Sequence, residues 1–280
     1  MTRQALILLL LALSRALAAE EPAVAARSNA ANFTPHEVQD NSFLVEESYN
    51  QEEGVVQHIS LFARDRTGQW VATFTQEWPL GGVRHQLSYS VPFARSETGA
   101  RKLEDAAVNY RYQLVGSGET RFAIAPRISL YLPIGSTRDG LGSGNVSWQT
   151  LIPVSYALSE DWVVHGNAGA TYRPASRNAA GDRANVWEWN VGTSLIFTGS
   201  HLLDPMLEAI YGRERAVVAP GRTVAEPVFL VSPGVRWAWS FKSGLQVVPG
   251  LAFPIGVGPS RGSRQVLLYL SFEHPFQGSR

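Results

Sequence analysis

The chain has no cysteine, no excess of charge of either sign, and no apolar run long enough to cross a bilayer as a helix. Each absence removes a class of answer. Without cysteine there are no disulfides, thiolate metal sites or cysteine nucleophiles, a composition compatible with an oxidising compartment. Twenty-four basic residues balance 24 acidic ones, so no overall field points to nucleic acid or another polyanion. Motifs of hydrolytic chemistry are missing too: there is no G-x-S-x-G elbow between a strand and a helix, since "GPSRG" at 258–262 lies in a polar connection between two alternating segments, and there is no H-E-x-x-H. His36, His58, His85, His165, His201 and His274 are scattered, none at metal-ligand spacing from another. "GLGSG" at 140–144 would need a helix behind it to cradle phosphate, but the following "NVSWQTLIPVSYAL" alternates as a strand, so the glycines read as a flexible loop. No cofactor and no metal are expected.

What is present starts at the N-terminus. Arg3, the apolar run "ALILLLLAL" and "ALA" at 16–18 form a secretory signal peptide over 1–18. The run is far short of the roughly 20 residues that a spanning helix needs, and Arg15 interrupts its end. Hydrophobic content of 45% over 280 residues is ample for a core.

Beyond the signal the dominant pattern has a period of two. In "DWVVHGNAGATYRP", Trp162, Val164, Gly166, Ala168, Ala170 and Tyr172 are apolar or small, whereas His165, Asn167, Thr171 and Arg173 are polar. Segments of this kind fall near 55–64, 69–79, 84–93, 103–114, 120–132, 145–158, 161–173, 185–197, 203–211, 227–240, 245–255 and 264–276. Their connections sort by parity. "LGGV", "VGSGE", "SE", "TGSH" and "FKSG" are short, while "ARSETGARK", "PIGSTRDGLGSG", "PASRNAAGDRA", "GRERAVVAPGRTVA" and "GVGPSRGS" are longer and polar; "DRTG" is the short exception. A soluble sandwich or propeller has no reason to sort loops this way, but an outer-membrane barrel does. The expected fold is therefore all-β: a closed antiparallel transmembrane β-barrel of about 12 strands, with short periplasmic turns and longer outer loops.

Aromatics supply a further criterion. Trp70 with Trp78, Trp148 with Tyr156, Trp162 with Tyr172, and Trp189 with Phe197 share faces eight or ten positions apart, and Phe276 ends the last segment. At about 3.3 Å per residue and a tilt of about 40°, such pairs span roughly the apolar band between two headgroup belts. The opposite parity predicts lumen-facing groups: Glu77, Arg84, Arg111, Arg121, Arg127, His165, Asn167, Arg173, Glu188, Asn190, Asp204, Glu208, Arg236 and Glu273. They either line a narrow hydrated pore or pair into salt bridges that fill the barrel; twelve strands lie between a filled eight and an open sixteen.

The domain reading is 1–18 signal peptide, 19–54 N-terminal periplasmic tail or plug segment, 55–276 barrel and 277–280 C-terminal tail. Within the second part, "FLVEESYNQEE" is acidic and could fold into the lumen against its arginines. The last strand, "RQVLLYLSFEHPF", places Val266, Leu268, Leu270, Phe272 and Phe276 on one side; it resembles the C-terminal signal read by the barrel-assembly machinery, although "QGSR" follows.

The stretches "VEESYNQEEGVVQHIS", "TFTQEWPL", "HQLSYSVPF", "VNYRYQL", "APRISLYLPIG" and "GSGNVSWQTLIPVSYAL" resemble the bacterial outer-membrane family named for the meta-pathway of phenol degradation. The resemblance covers most of the chain after about Asn41 and implies a barrel that lets small molecules through, aromatic compounds among them. It carries no defined functional residues. The expectation is a non-enzymatic outer-membrane channel or transporter, with the bilayer, the assembly machinery and a small solute as partners and no nucleic acid. The rivals are an integral-membrane hydrolase, whose Ser, His and acid could come from neighbouring strands, and a plugged structural barrel.

Overall fold

The computed structural model describes residues 40–200 and 203–276; the segment read as a signal peptide, the rest of the stretch up to residue 39 and the C-terminal 277–280 lie outside the described residues. The elements in chain order are β1 (Val55–Asp65), β2 (Trp70–Pro79), β3 (His85–Arg95), β4 (Arg101–Leu103), β5 (Ala106–Tyr112), β6 (Phe122–Ile124), β7 (Arg127–Leu132) and β8 (Ser147–Ala157). They continue with β9 (Trp162–Arg177), β10 (Arg183–Phe197), β11 (Asp204–Ala219), β12 (Arg222–Arg236), β13 (Trp239–Ser240), β14 (Gln246–Ala252), β15 (Ile255–Gly256) and β16 (Gln265–Pro275).

Twelve of these form the wall, each antiparallel to its neighbours, and β4, β6, β13 and β15 continue wall strands past interruptions. The ring closes where β1 pairs with β16, from Val55↔Pro275 to Asp65↔Gln265. Closure is what a lipid medium demands, because a free strand edge would leave amides with no partner at several kcal/mol each. Pro126 separates β6 from β7 and Pro254 separates β14 from β15, at points where a ladder donor is missing. β4 and β5 meet β3 one residue out of step, Phe93↔Leu103 and then Ser90↔Ala107. The slip lies at Glu104–Asp105. Asp105 there accepts the amides of Gly135 (3.0 Å) and Ser143 (2.8 Å) and the Ser143 hydroxyl (2.6 Å), which folds the 133–146 loop over the mouth.

Facial alternation follows from the registers. On β8, Trp148, Ile152 and Tyr156 are exposed on the outer face, while Leu151 and Ser155 are buried on the inner one. Two outer connections differ from the sequence reading. Much of 174–184 and of 212–226 is strand, and β11 and β12 stay paired until the turn at Pro220–Gly221, where Gly221 has φ 70°. Val217, Val218, Thr223 and Val224 favour extended backbone, so the hairpin keeps its ladder above the apolar band.

Candidate functional site

The barrel interior is a channel-shaped space occupied at one end by the chain itself. Asp40–Gln51 runs through the lumen toward β1, and Asp40, Phe43, Val45, Glu47, Ser48 and Tyr49 are buried. A peptide placed there has no neighbouring strand, so side chains of the wall must satisfy its backbone. Glu208 accepts the amides of Leu44 (2.8 Å) and Val45 (3.0 Å). Asn167 grips both sides of Glu46, accepting its amide at 2.7 Å and donating to its carbonyl at 2.9 Å. The Ser155 hydroxyl accepts the Ser48 amide (2.9 Å), Gln113 the Asn50 amide (3.0 Å) and Gln86 the Gln51 amide (2.7 Å). Arg111 donates to the carbonyls of Glu47 (3.2 Å) and Tyr49 (2.6 Å), and Arg236 to those of Asp40 and Asn41.

Packing supplies the second constraint. A Cβ on Gly250 would lie 2.4 Å from the Phe43 ring, one on Gly234 would lie 2.8 Å from it, and one on Gly192 would lie 3.1 Å from Val45. These inward glycines are seats for the lumenal segment. Phe43 also meets the Tyr269 ring at 5.1 Å between centroids, within the cluster that holds Ile59, Val248 and Leu267.

Charges of both signs pair along the inner wall. Arg111 lies 3.6 Å from Glu77, Arg173 3.1 Å from Glu188 and Arg236 3.3 Å from Asp204, and Arg127 is in direct contact with Glu46 of the lumenal segment. Burial pushes the Asp40 carboxyl up against the pull of Arg236. It pushes Glu47 well above the ordinary range, reinforced by the Asp40 charge and opposed by Arg111 and Arg236. At the outer mouth the effect reverses: hydrogen bonds from Lys102 and Ser136 hold Asp139 below its usual value.

Open space lies beyond the segment. A vestibule of about 700 Å³ at the mouth of the longer loops is lined by Arg95, Glu97, Glu104, Arg138, Asp139 and Glu226, among others. A separate chamber of about 330 Å³ lies against β8–β12, with Thr171, Arg173, Glu188 and Glu214 on its walls. A cleft of about 130 Å³ shares Gln149, Asn190 and Ile210 with the chamber and ends on Leu44, Glu46 and Arg127.

The registers direct Glu77, Arg111, Arg127, His165, Asn167, Arg173, Glu188, Asn190, Asp204, Glu208, Arg236 and Glu273 inward. Two residues read as lumenal lie elsewhere. Arg84 is exposed in the turn before β3. Arg121 precedes β6, donates to the carbonyls of Ala157 (3.0 Å) and Leu158 (3.0 Å), and lies over the Tyr156 ring at the rim. Alternation lapses where ladder pairing stops, and long cationic side chains there reach for water. Outside, Trp70, Trp148, Tyr172 and Trp189 lie toward the long-loop end, and Trp78, Tyr156, Trp162, Phe197 and Phe276 toward the short-turn end. Contacts such as Trp148–Tyr172 (5.1 Å) and Trp162–Phe197 (5.0 Å) join neighbouring strands within each belt. Trp187, its ring tilted against that of Tyr172 at 4.4 Å between centroids, is an outer-belt residue that the sequence reading did not single out. It also passed over the neutral lumenal groups Gln86, Gln113, Gln149 and Ser155, whose signal was the parity they share with the charged ones.

The Ser155 hydroxyl lies 2.7 Å from His165 Nδ1, but both residues are sealed beneath the lumenal segment and the hydroxyl already accepts the Ser48 amide. A hydrolytic pair needs an exposed hydroxyl next to the imidazole, which this one is not.

No family profile matches the sequence, and no characterised protein matches it by sequence. Solved structures do match by shape. An outer-membrane channel from Pseudomonas putida F1 is 12% identical over 85% of this chain and 99% of its own, with a TM-score of 0.56. The NanC porin is 5% identical over 78% of this chain and 98% of its own, with a TM-score of 0.51. At such identity the likeness is one of fold, and the fold is that of bacterial outer-membrane barrels.

Proposed function

We propose that this barrel is an outer-membrane channel for small solutes, without enzymatic activity, in which Asp40–Gln51 forms the constriction. The observation that carries the reading is the set of polar cavities the barrel keeps: a vestibule at the outer mouth, and an adjoining chamber and cleft that end on the Glu46–Arg127 contact. A barrel that served only as a scaffold would gain by filling this space, since packed interiors leave few voids larger than water. The chamber is of a size suited to a small organic molecule. Arg173, paired with Glu188 and 5.6 Å from the Tyr131 ring, offers a flat guanidinium on which a planar guest would stack. Small aromatic acids and phenols are the solutes we favour, in line with the family resemblance of the sequence. Arg127 is where such an anion would compete with Glu46, loosening the segment as it passes.

Assembly would proceed through the barrel-assembly machinery, which we infer reads the aromatic-ended strand β16 and Phe276. Planar-bilayer recordings of the purified protein test the function. Stepwise conductance that falls on addition of benzoate supports it, and a folded barrel that stays silent at every voltage overturns it.

A further inference from the structure

The outer face of β16, β1, β2, β3 and β4 carries a second constellation, whose rim residues Trp70 and Arg95 also border the outer vestibule. Registers align its outward residues in rows. The lowest holds Leu270, Ser60, Phe74 and Val91; the next holds Leu268, Phe62, Ala72, Phe93 and Leu103. The topmost, at the rim of the longer loops, holds Val266, Arg64, Trp70, Arg95 and Arg101. Small Ser60 and Ala72 between Phe62, Phe74 and Phe93 leave an apolar groove of about 360 Å³ in the lipid-facing wall. Arginines stand directly above it.

Those arginines converge. Arg95 Nη1 donates to the Gly68 carbonyl at 2.7 Å, and a Cβ on Gly68 would lie 3.1 Å from that nitrogen and 4.0 Å from Arg64 Nη2. Arg101 pairs with Arg95 across the sheet, and Arg64 and Arg101 are exposed. Among the described residues none of the three forms an ion pair with a carboxylate. The equivalent row on β8–β10 is wholly aromatic, with Trp148, Tyr172 and Trp187. Arginine is therefore not the general solution for this depth of the wall. Like charges clustered at the edge of a low-dielectric slab repel one another unless an anion lies between them.

We propose that this face binds an anionic, phosphate-bearing lipid of the outer leaflet, with an acyl chain in the Ser60–Ala72 groove and a phosphomonoester held by Arg64, Arg95 and Arg101. Guanidinium forks match phosphate oxygens in pairs. A phosphomonoester near neutral pH carries close to two charges, which suits three cations better than the single charge of a phosphodiester does. Groove and clamp lie in adjoining rows of the same strands, as the head and tail of one lipid require.

Native mass spectrometry of the full-length protein in detergent, titrated with diphosphorylated lipid A and with the same lipid stripped of phosphate, tests the site. The wild type is expected to bind the phosphorylated lipid about tenfold more tightly, and the Arg64→Gln/Arg95→Gln/Arg101→Gln variant to lose that preference. Ala72→Phe should weaken both lipids by filling the groove, whereas Arg213→Gln, on another wall, should bind as the wild type does. Heat-shifted gel mobility shows which variants fold. Should the triple variant not fold, Arg101→Gln alone is expected to lower the preference about threefold. Equal binding of the two lipids by the wild type, or an undiminished preference in the arginine variants, overturns the proposal.

Discussion

The two ends of the lumen are built on opposite plans. Toward the short turns, Phe43 and Val45 sit on glycines and nearly every backbone group of Asp40–Gln51 that meets the wall is held by an amide, a hydroxyl or a charged side chain. Toward the long loops the wall bears Arg173, Glu188, Glu104 and Arg138 around open cavities. The wall therefore does not close itself with its own large side chains. It stays wide and is narrowed by a separate piece of chain, so occlusion depends on contacts that can be broken without breaking the barrel.

Removing the segment breaks the contrast most completely. Deleting residues 40–51 should leave a folded barrel whose single-channel conductance is higher on the order of tenfold, because a bare twelve-strand lumen is intermediate between filled and open barrels. Unchanged conductance would mean that the segment does not limit flow. Gly250→Val is the next largest change. Its added carbons collide with the Phe43 ring, and overpacking of this kind costs about 2 kcal/mol, so limited proteolysis should cut the segment faster in intact barrels.

Acidity should tune the same contacts. In the seated segment burial keeps Asp40 and Glu47 protonated to higher pH than after release, so seating takes up protons. The associated stability is fully present below about pH 4, the ordinary carboxylate range, and is lost as pH rises through the raised values. Conductance is thus expected to grow as the solution becomes more alkaline, and Glu47→Gln to flatten the profile; growth on acidification would contradict the assignment. Glu46→Gln, which removes a partly exposed ion pair with Arg127, is expected to cost about 1 kcal/mol of seating and to raise the open fraction about fivefold. Arg84→Gln should leave conductance within experimental scatter, since Arg84 lies in a turn outside the lumen.

How much of this was legible in the sequence depends on the range of the interactions. Strand identity and facing were readable because lipid on one side and a polar lumen on the other impose a local period of two, as in Trp162–Tyr172. Arg84 and Arg121 were misplaced because that period says nothing once the ladder stops. The β11–β12 hairpin above the membrane was hidden by polar residues such as Arg213 and Glu214, which are common in loops but equally at home on a strand with water on both sides. For "FLVEESYNQEE" the sequence left tail and plug as alternatives. The reason is distance: Glu46 finds Arg127 81 positions away, and the glycines that receive Phe43 lie near the opposite end of the chain. No local pattern carries such partners.

Only Glu52, Glu53 and Gly54 separate the lumenal segment from β1. The segment therefore behaves as a tethered competitor whose effective concentration is in the millimolar range or above, whatever the level of solute outside. A dilute solute must outbid it by affinity and then dissociates slowly, whereas an abundant one can displace it through weak contacts. Under the proposed function such a conduit would stay nearly shut in scarcity and yield to plenty, a threshold response written into the shortness of a three-residue leash.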